Sequence, residues 1–338
     1  SCEMNIIQQT KNLSTQKGVT LVEVMIGMLL GLFLMGGILQ VFSSSRQTYR
    51  VHEATSRMQE SGRMALEVLS RDIRMADYWG CASDPSNFVN NLDPMGTGYV
   101  DFLSGGVEGT EGGAGPDSLT LRGGFDLGLG VQPPYGPQAS ANIKVSAGNG
   151  LEQDDVVFVA DCSAGDIFQI TNANPDGAGT IVHNTGYGDP GNHNATNPGC
   201  PGANAHCLSK IYGADASVMA TREIIYTIAM GSEGQPALFR NGLEFLDGIE
   251  NLQILYGEDL DPVGTGGFGI ANYYVPADQV VDMARVISIR FAVVVRSYDD
   301  NLTGGLTQNY NLFGTPVAAA DNRLRQVYSA TVAVRNRL

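Results

Sequence analysis

Three clusters of residues have the types and spacing to do chemistry. His193, Cys200, His206 and Cys207 fall within fifteen positions of a Gly- and Asn-rich stretch. Imidazole and thiolate at that closeness are zinc ligands. Adjacent His206 and Cys207 fit one tetrahedral site poorly, however, and no C-x-x-C pair accompanies them. Glu258, Asp259 and Asp261 form an acidic run that suggests calcium. The alternating acids, glycine and terminal glutamate of a calcium loop are missing, and Pro262 interrupts the ligand spacing. An ordinary acidic turn accounts for it better. The third cluster is the cysteines themselves, and their chemistry is oxidation.

There are five: Cys2, Cys81, Cys162, Cys200 and Cys207. Cys2 lies in a segment expected to be removed, which leaves an even four. Four permit three pairings, and sequence alone does not choose among them. The preferred reading is Cys81–Cys162 and Cys200–Cys207, in place of zinc. By loop entropy the long ring stabilises by roughly 4.5 kcal/mol and the short one by roughly 2.5 kcal/mol. Disulfides imply export from the cytoplasm.

Catalytic signatures are absent: no G-x-S-x-G, no phosphate-cradling loop and no H-E-x-x-H. No cofactor, metal or catalytic residue is expected. Acidity excludes another class. After residue 78 there are 12 Lys or Arg against 28 Asp or Glu, a surface that repels a phosphate backbone. No nucleic-acid partner is expected.

The one charge in an unusual place is Glu23. It lies in the apolar run Val19 to Phe42, which as a helix is about 36 Å long. That length spans a bilayer core of ~30 Å. A carboxylate there costs roughly 2.5–3.5 kcal/mol on insertion scales, so a function is expected of it. Lys11 and Lys17 precede the run and hold that end cytoplasmic by the positive-inside rule. An ordinary secretory signal would have a shorter apolar core closed by small residues. Gly27 and Gly31 allow close helix approach, and Gly36-Gly37 could loosen the helix locally.

The elements that position these residues follow from periodicity. Met58, Ala65, Leu69, Ile73 and Ala76 recur at an average step of about 3.6, an amphipathic helix stripe. Glu53–Arg57 and Glu67–Arg71 stand in the favourable i,i+4 order on the other face. No proline occurs from 19 to 78, so one helix of about 60 residues is expected. Gly62 interrupts the stripe and argues against a coiled coil. Strands are expected at Ser118–Arg122, Val156–Ala160, Ile167–Thr171, Glu223–Ile228, Ala237–Arg240, Ile249–Tyr256, Val286–Val295 and Gln326–Val334. The fold class is α+β: a long N-terminal helix on one antiparallel sheet, with long connections at 84–117, 123–150 and 172–206.

Lys17-Gly18-Val19-Thr20-Leu21-Val22-Glu23 resembles the type IV prepilin signal: a basic leader ending in Gly, with Glu at mature position five. The resemblance implies cleavage between Gly18 and Val19 by a prepilin peptidase, and N-methylation of Val19. It also implies that Glu23 neutralises a neighbouring subunit's Val19 amine in the filament core, since buried ions demand partners. Family members often carry Phe where Val19 stands. The runs Arg46 to Arg50, Arg57 to Arg63, Arg71 to Ala76, Gly248 to Gly257 and Val327 to Asn336 resemble PilW-type minor pilins.

That resemblance divides the chain into a leader (1–18), a transmembrane or filament-core helix (19–42), an amphipathic helix (43–78) and a periplasmic β-rich head (79–338). It implies a minor pilin for initiation of the type IV pilus, with a tip-proximal position, stored in the inner membrane and then carried into the extracellular filament. Implied partners are other minor pilins, the major pilin, the prepilin peptidase, the inner-membrane assembly platform and a tip adhesin. A type II secretion pseudopilin and a tip-located adhesive module are the alternatives. Met4 is a candidate start of translation.

Overall fold

The computed structural model describes residues 18–82, 85–136, 142–186, 188–193 and 207–337. Two compact units divide at Glu53. Helix α1 runs Leu21–Met75 without a break, because its sequence contains neither proline nor a run of β-branched residues. In the first unit, residues 18–50 are exposed on every side. From residue 54 onward the helix behaves differently: Met58, Gly62, Ala65, Leu69, Asp72 and Ile73 are buried. The helix ends three residues short of the expected 78. Asp77 turns into the left-handed region at φ 60° and stops it.

The strands of the second unit are β1 Phe88–Asn90, β2 Val107–Thr110, β3 Ser118–Gly130, β4 Asn142–Lys144, β5 Val156–Ala160 and β6 Gly165–Gln169. A short helix α2 at Pro175–Ala178 precedes β7 Thr180–Val182. Then follow β8 Ser217–Met230, β9 Pro236–Arg240, β10 Leu243–Asp247, β11 Ile249–Glu258, β12 Tyr273–Val275, β13 Val286–Arg296, β14 Asn309–Leu312, β15 Thr315–Ala318 and β16 Arg325–Ala333. All eight expected strands are present, several of them longer than expected.

One sheet was expected; two main sheets are found. An eight-stranded sheet has the order β1-β6-β5-β8-β3-β2, with β9 beside β8 and β10 beside β9. A four-stranded sheet has the order β12-β11-β13-β16. The pairing is antiparallel apart from β1 on β6. The second sheet arises because β11 pairs with β12 and β13, and β10 with β9 alone. Both sheets feed one core, in which Leu69 and Ile73 of α1 lie with Leu121, Tyr226, Leu252, Phe291 and Val332.

Two glycine positions explain how the helix seats. A Cβ on Gly62 would stand 2.2 Å from the ring of Tyr328 on β16, so only glycine lets that ring lie against the helix. The residue that interrupts the sequence stripe is therefore a packing device. Gly123 and Gly124 let the chain leaving α1 lie on β3: Asp77 N–H donates to Arg122 O at 2.8 Å, and Gly124 N–H donates to Tyr78 O at 2.6 Å. A Cβ at Gly124 would sit 3.2 Å from Tyr78 O. This is why β3 continues through a glycine-rich stretch expected to be a loop.

Candidate functional site

The residues expected for cleavage and assembly sit at the start of α1. Gly18, Val19 and Thr20 lead into the helix in non-helical backbone, and all three are exposed. Thr20 and Glu23 form a reciprocal capping box. Glu23 N–H donates to Thr20 Oγ1 at 3.3 Å, while Glu23 Oε2 accepts from Thr20 N–H at 2.9 Å and Thr20 Oγ1–H at 3.0 Å. The first turn's orphan donors are thereby satisfied within the chain. With the Gly18–Val19 bond intact, the glutamate serves its own helix.

Beyond it, Leu32, Phe33, Leu34 and Val41 are each about seven-tenths exposed. Among the described residues, α1 is the one helix long and apolar enough to cross a membrane. Gly27, Gly31, Gly36 and Gly37 have open space where a Cβ would stand. The helix passes through all four without a break.

The far end of α1 is held by polar contacts that sequence reasoning missed. Asp72 lies in the buried stripe, where a carboxylate needs a partner. Its Oδ2 accepts from Tyr226 Oη–H at 2.6 Å and Arg240 Nη2–H at 2.9 Å. Burial, then the Asp72 carboxylate, pushes the Tyr226 hydroxyl well above its ordinary range. The signal was present: a lone acid between Leu69 and Ile73 on an otherwise apolar face. Arg71, expected to pair with Glu67, has its ion pair with Asp72 Oδ1 at 3.8 Å.

At the helix C-terminus, Asn336 Nδ2–H donates to Ala76 O at 2.8 Å and Arg337 Nε–H to Asp77 Oδ2 at 2.5 Å. Asn336 thus satisfies a carbonyl at the helix end, and Arg337 pairs with the residue that stops the helix. Trp79 and Phe88 pack edge-on against Phe158, with ring centroids 5.1 and 4.9 Å apart. Beside them Cys81 and Cys162 form the expected disulfide, with Cα atoms 4.8 Å apart. Cys207 is also disulfide-bonded. Cys200, its expected partner, and His206 lie outside the described residues.

The acidic run at 258–261 is engaged by its own loop. Glu258 accepts from Tyr273 Oη–H at 2.8 Å and from the Asp282 N–H at 2.7 Å. Asp259 accepts from the N–H groups of Asp261 and Gly269 at 2.9 and 2.6 Å. These carboxylates point at separate donors, backbone N–H groups and the Tyr273 hydroxyl, as an acidic turn requires. Among the described residues, no group of three or more His, Cys, Asp or Glu could hold a metal ion.

Two family comparisons match the chain. Residues 13–39 match the Prokaryotic N-terminal methylation motif, which covers Gly18, Val19 and Glu23. An exposed apolar helix follows that motif, and an amphipathic helix packed on sheets follows it, an arrangement similar to that of a type IV pilin. Residues 225–336, about a third of the chain, match Type IV Pilus-assembly protein W, or PilW. The match runs from the end of β8 through the whole four-stranded sheet to the residues that cap α1. No curated protein and no solved structure matches the chain.

Proposed function

We propose that this protein is a minor pilin: a low-abundance, non-catalytic subunit that helps initiate the type IV pilus and sits near its tip. It is stored in the inner membrane by residues 19–42, with the head in the periplasm. A prepilin peptidase cuts between Gly18 and Val19 and methylates the new Val19 amine. The subunit then enters the filament beside other minor pilins and the major pilin through the assembly platform. A tip adhesin is a further partner.

The observation that carries this reading is the behaviour of one continuous helix. Its first part exposes apolar side chains on every face, and its later part buries a single stripe. A helix apolar all round needs a non-aqueous surround, lipid or sister helices. In the filament Glu23 exchanges its Thr20 contacts for a neighbour's Val19 amine, which relieves the cost of a buried carboxylate.

Deleting the chain in a piliated strain tests the reading. Loss of surface fibres and of twitching motility is the expected result. Intact fibres with lost enzyme secretion would assign the chain to a type II secretion pseudopilus instead.

A further inference from the structure

Sheet edges expose unpaired backbone groups, and folded proteins normally blunt them with short strands, bulges or charges. Most edges here are blunted. β1 and β12 have three residues each. β10 carries Glu244 and Asp247, and its register is broken by a bulge between Glu244 and Leu246. β2 has four residues and carries Glu108. β16 is different: nine residues long, in unbroken register with β13, and without an acid from Arg325 to Ala333.

The register says which of its backbone groups are unpaired. Val334 N–H donates to Ile287 O, and Ser297 N–H to Leu324 O, both at 2.8 Å. In an antiparallel ladder the bonded pairs alternate, so residues 326, 328, 330 and 332 face β13. Val327, Ser329, Thr331 and Ala333 therefore present N–H and C=O groups outward. At Arg325 the outward pair is already filled. Gln308 Nε2–H donates to Arg325 O at 2.9 Å, and Gln308 Oε1 accepts from Arg325 N–H at 2.7 Å. That side-chain amide imitates a neighbouring strand at Arg325, where β14 lies close to β16. Among the described residues, no hydrogen bond fills the outward backbone groups of 327, 329, 331 and 333.

We propose that the edge from Val327 to Ala333 takes up an extended, carboxylate-bearing segment of a different subunit, which adds a fifth strand to the four-stranded sheet. Such strand addition draws affinity from main-chain hydrogen bonds. The small residues Ser329, Thr331 and Ala333 are exposed and leave the approach open. The chemistry of the donor follows from charge. The chain is strongly acidic as a whole, yet residues 322–337 contain no acid and four Arg. Arg323, Arg325 and Arg337 are ion-paired with Asp321, Glu250 and Asp77, which leaves Arg335 for a partner. Arg335, at the strand's end, is exposed, and so is Arg63, on the helix beside Tyr328. A second copy is disfavoured: antiparallel self-pairing of this edge brings no carboxylate to Arg335, because residues 322–337 contain no acid. The donor's identity as a filament subunit rests on the pilus-assembly reading above; the open edge does not.

The test uses the full chain in piliated cells, with a photo-crosslinking amino acid at Thr331. A crosslink to another pilus subunit is expected. Ser329→Pro removes an outward N–H and no ladder bond, a placement proline tolerates. It should lower the crosslink at least tenfold, and Ser329→Ala should leave it unchanged. Arg335→Glu should weaken it and Arg335→Lys should not. Should Ser329→Pro fail to fold, amide exchange on the unsubstituted chain in detergent decides. Fast exchange at 327, 329, 331 and 333, with slow exchange at 328, 330 and 332, is required. Protection of all seven, a crosslink within the chain or to a second copy, or no crosslink to a subunit would overturn the proposal. A folded Ser329→Pro chain that retains its crosslink would do the same. Full piliation after deletion of the chain would sink the minor-pilin reading instead, and would leave the exchange pattern standing.

Discussion

Residues 21–53 and 54–75 belong to one α-helix, yet they solve opposite problems. The first part has apolar residues around its whole circumference as far as Phe42, and these are exposed. The second has one apolar stripe with charges opposite, and the stripe is buried. Helix propensity is lower in the first part, which carries four of the helix's five glycines, yet both parts are helical, so propensity does not decide what each part touches. The distribution of apolar residues around the axis decides it. Glycine shows the same contrast: at Gly31 a Cβ would meet nothing within 4 Å, and at Gly62 it would meet an aromatic ring.

The comparison is broken most completely at its N-terminal end. Gly18→Leu puts a branched side chain beside the bond to be cut and should abolish processing. The chain would then be recovered from membranes with its leader attached, which gel mobility and intact mass would detect. Normal processing would remove Gly18 from the account.

At the other end, Asp72→Ala strips the partner from Arg240 and Tyr226. Losing one member of a buried pair destabilises by about 3–5 kcal/mol; the lower end applies because Arg240 is partly solvated. Urea unfolding of the full chain in detergent would show the loss. An unchanged midpoint would mean that the clamp contributes nothing to seating the helix.

A smaller effect tests the two parts against each other. Glycine to alanine within a helix normally stabilises by about 0.5–1 kcal/mol. Gly62→Ala should reverse that sign and cost about 1–3 kcal/mol, because overpacking against Tyr328 outweighs propensity. Gly31→Ala should leave the head's unfolding midpoint where it was. Equal effects at the two positions would contradict the contrast.

The smallest expected effect is in acid. Burial alone would raise the Asp161 carboxyl, but the Lys210 ammonium, the Ser163 hydroxyl and the N–H groups of Ser163 and Ala164 outweigh it. They hold the group far below the usual carboxylate range. A depressed folded value means stability that is present above the unfolded pKa of about 3.9 and lost as pH falls below it. Asp161→Asn should therefore be less stable than the parent at neutral pH and show a flatter loss below about pH 4. Parallel acid limbs in the two proteins would count against this carboxylate.

Much of this was legible in sequence, for identifiable reasons. The Met58 to Ala76 stripe has helical spacing, and Val156–Ala160 is an uninterrupted apolar run, so each signals its element locally. The leader resemblance carried the same positions that the methylation motif covers. What sequence hid depends on distant partners. β3 continues through Gly123 and Gly124 because the chain after α1 hydrogen-bonds there. β10 lacks period-two burial and exists through its pairing with β9. Asp72 stands out in sequence as an acid on an apolar face, but its partner Arg240, 168 residues away, does not. The second sheet depends on which strands pair, and composition does not record that.

The most direct test of the central claim is the intact mass of the chain recovered from membranes of cells that make pili. The account predicts a chain that begins at Val19 with one methyl group on its amine. A chain that still carries residues 1–18, or one cut elsewhere in the apolar run, would contradict it.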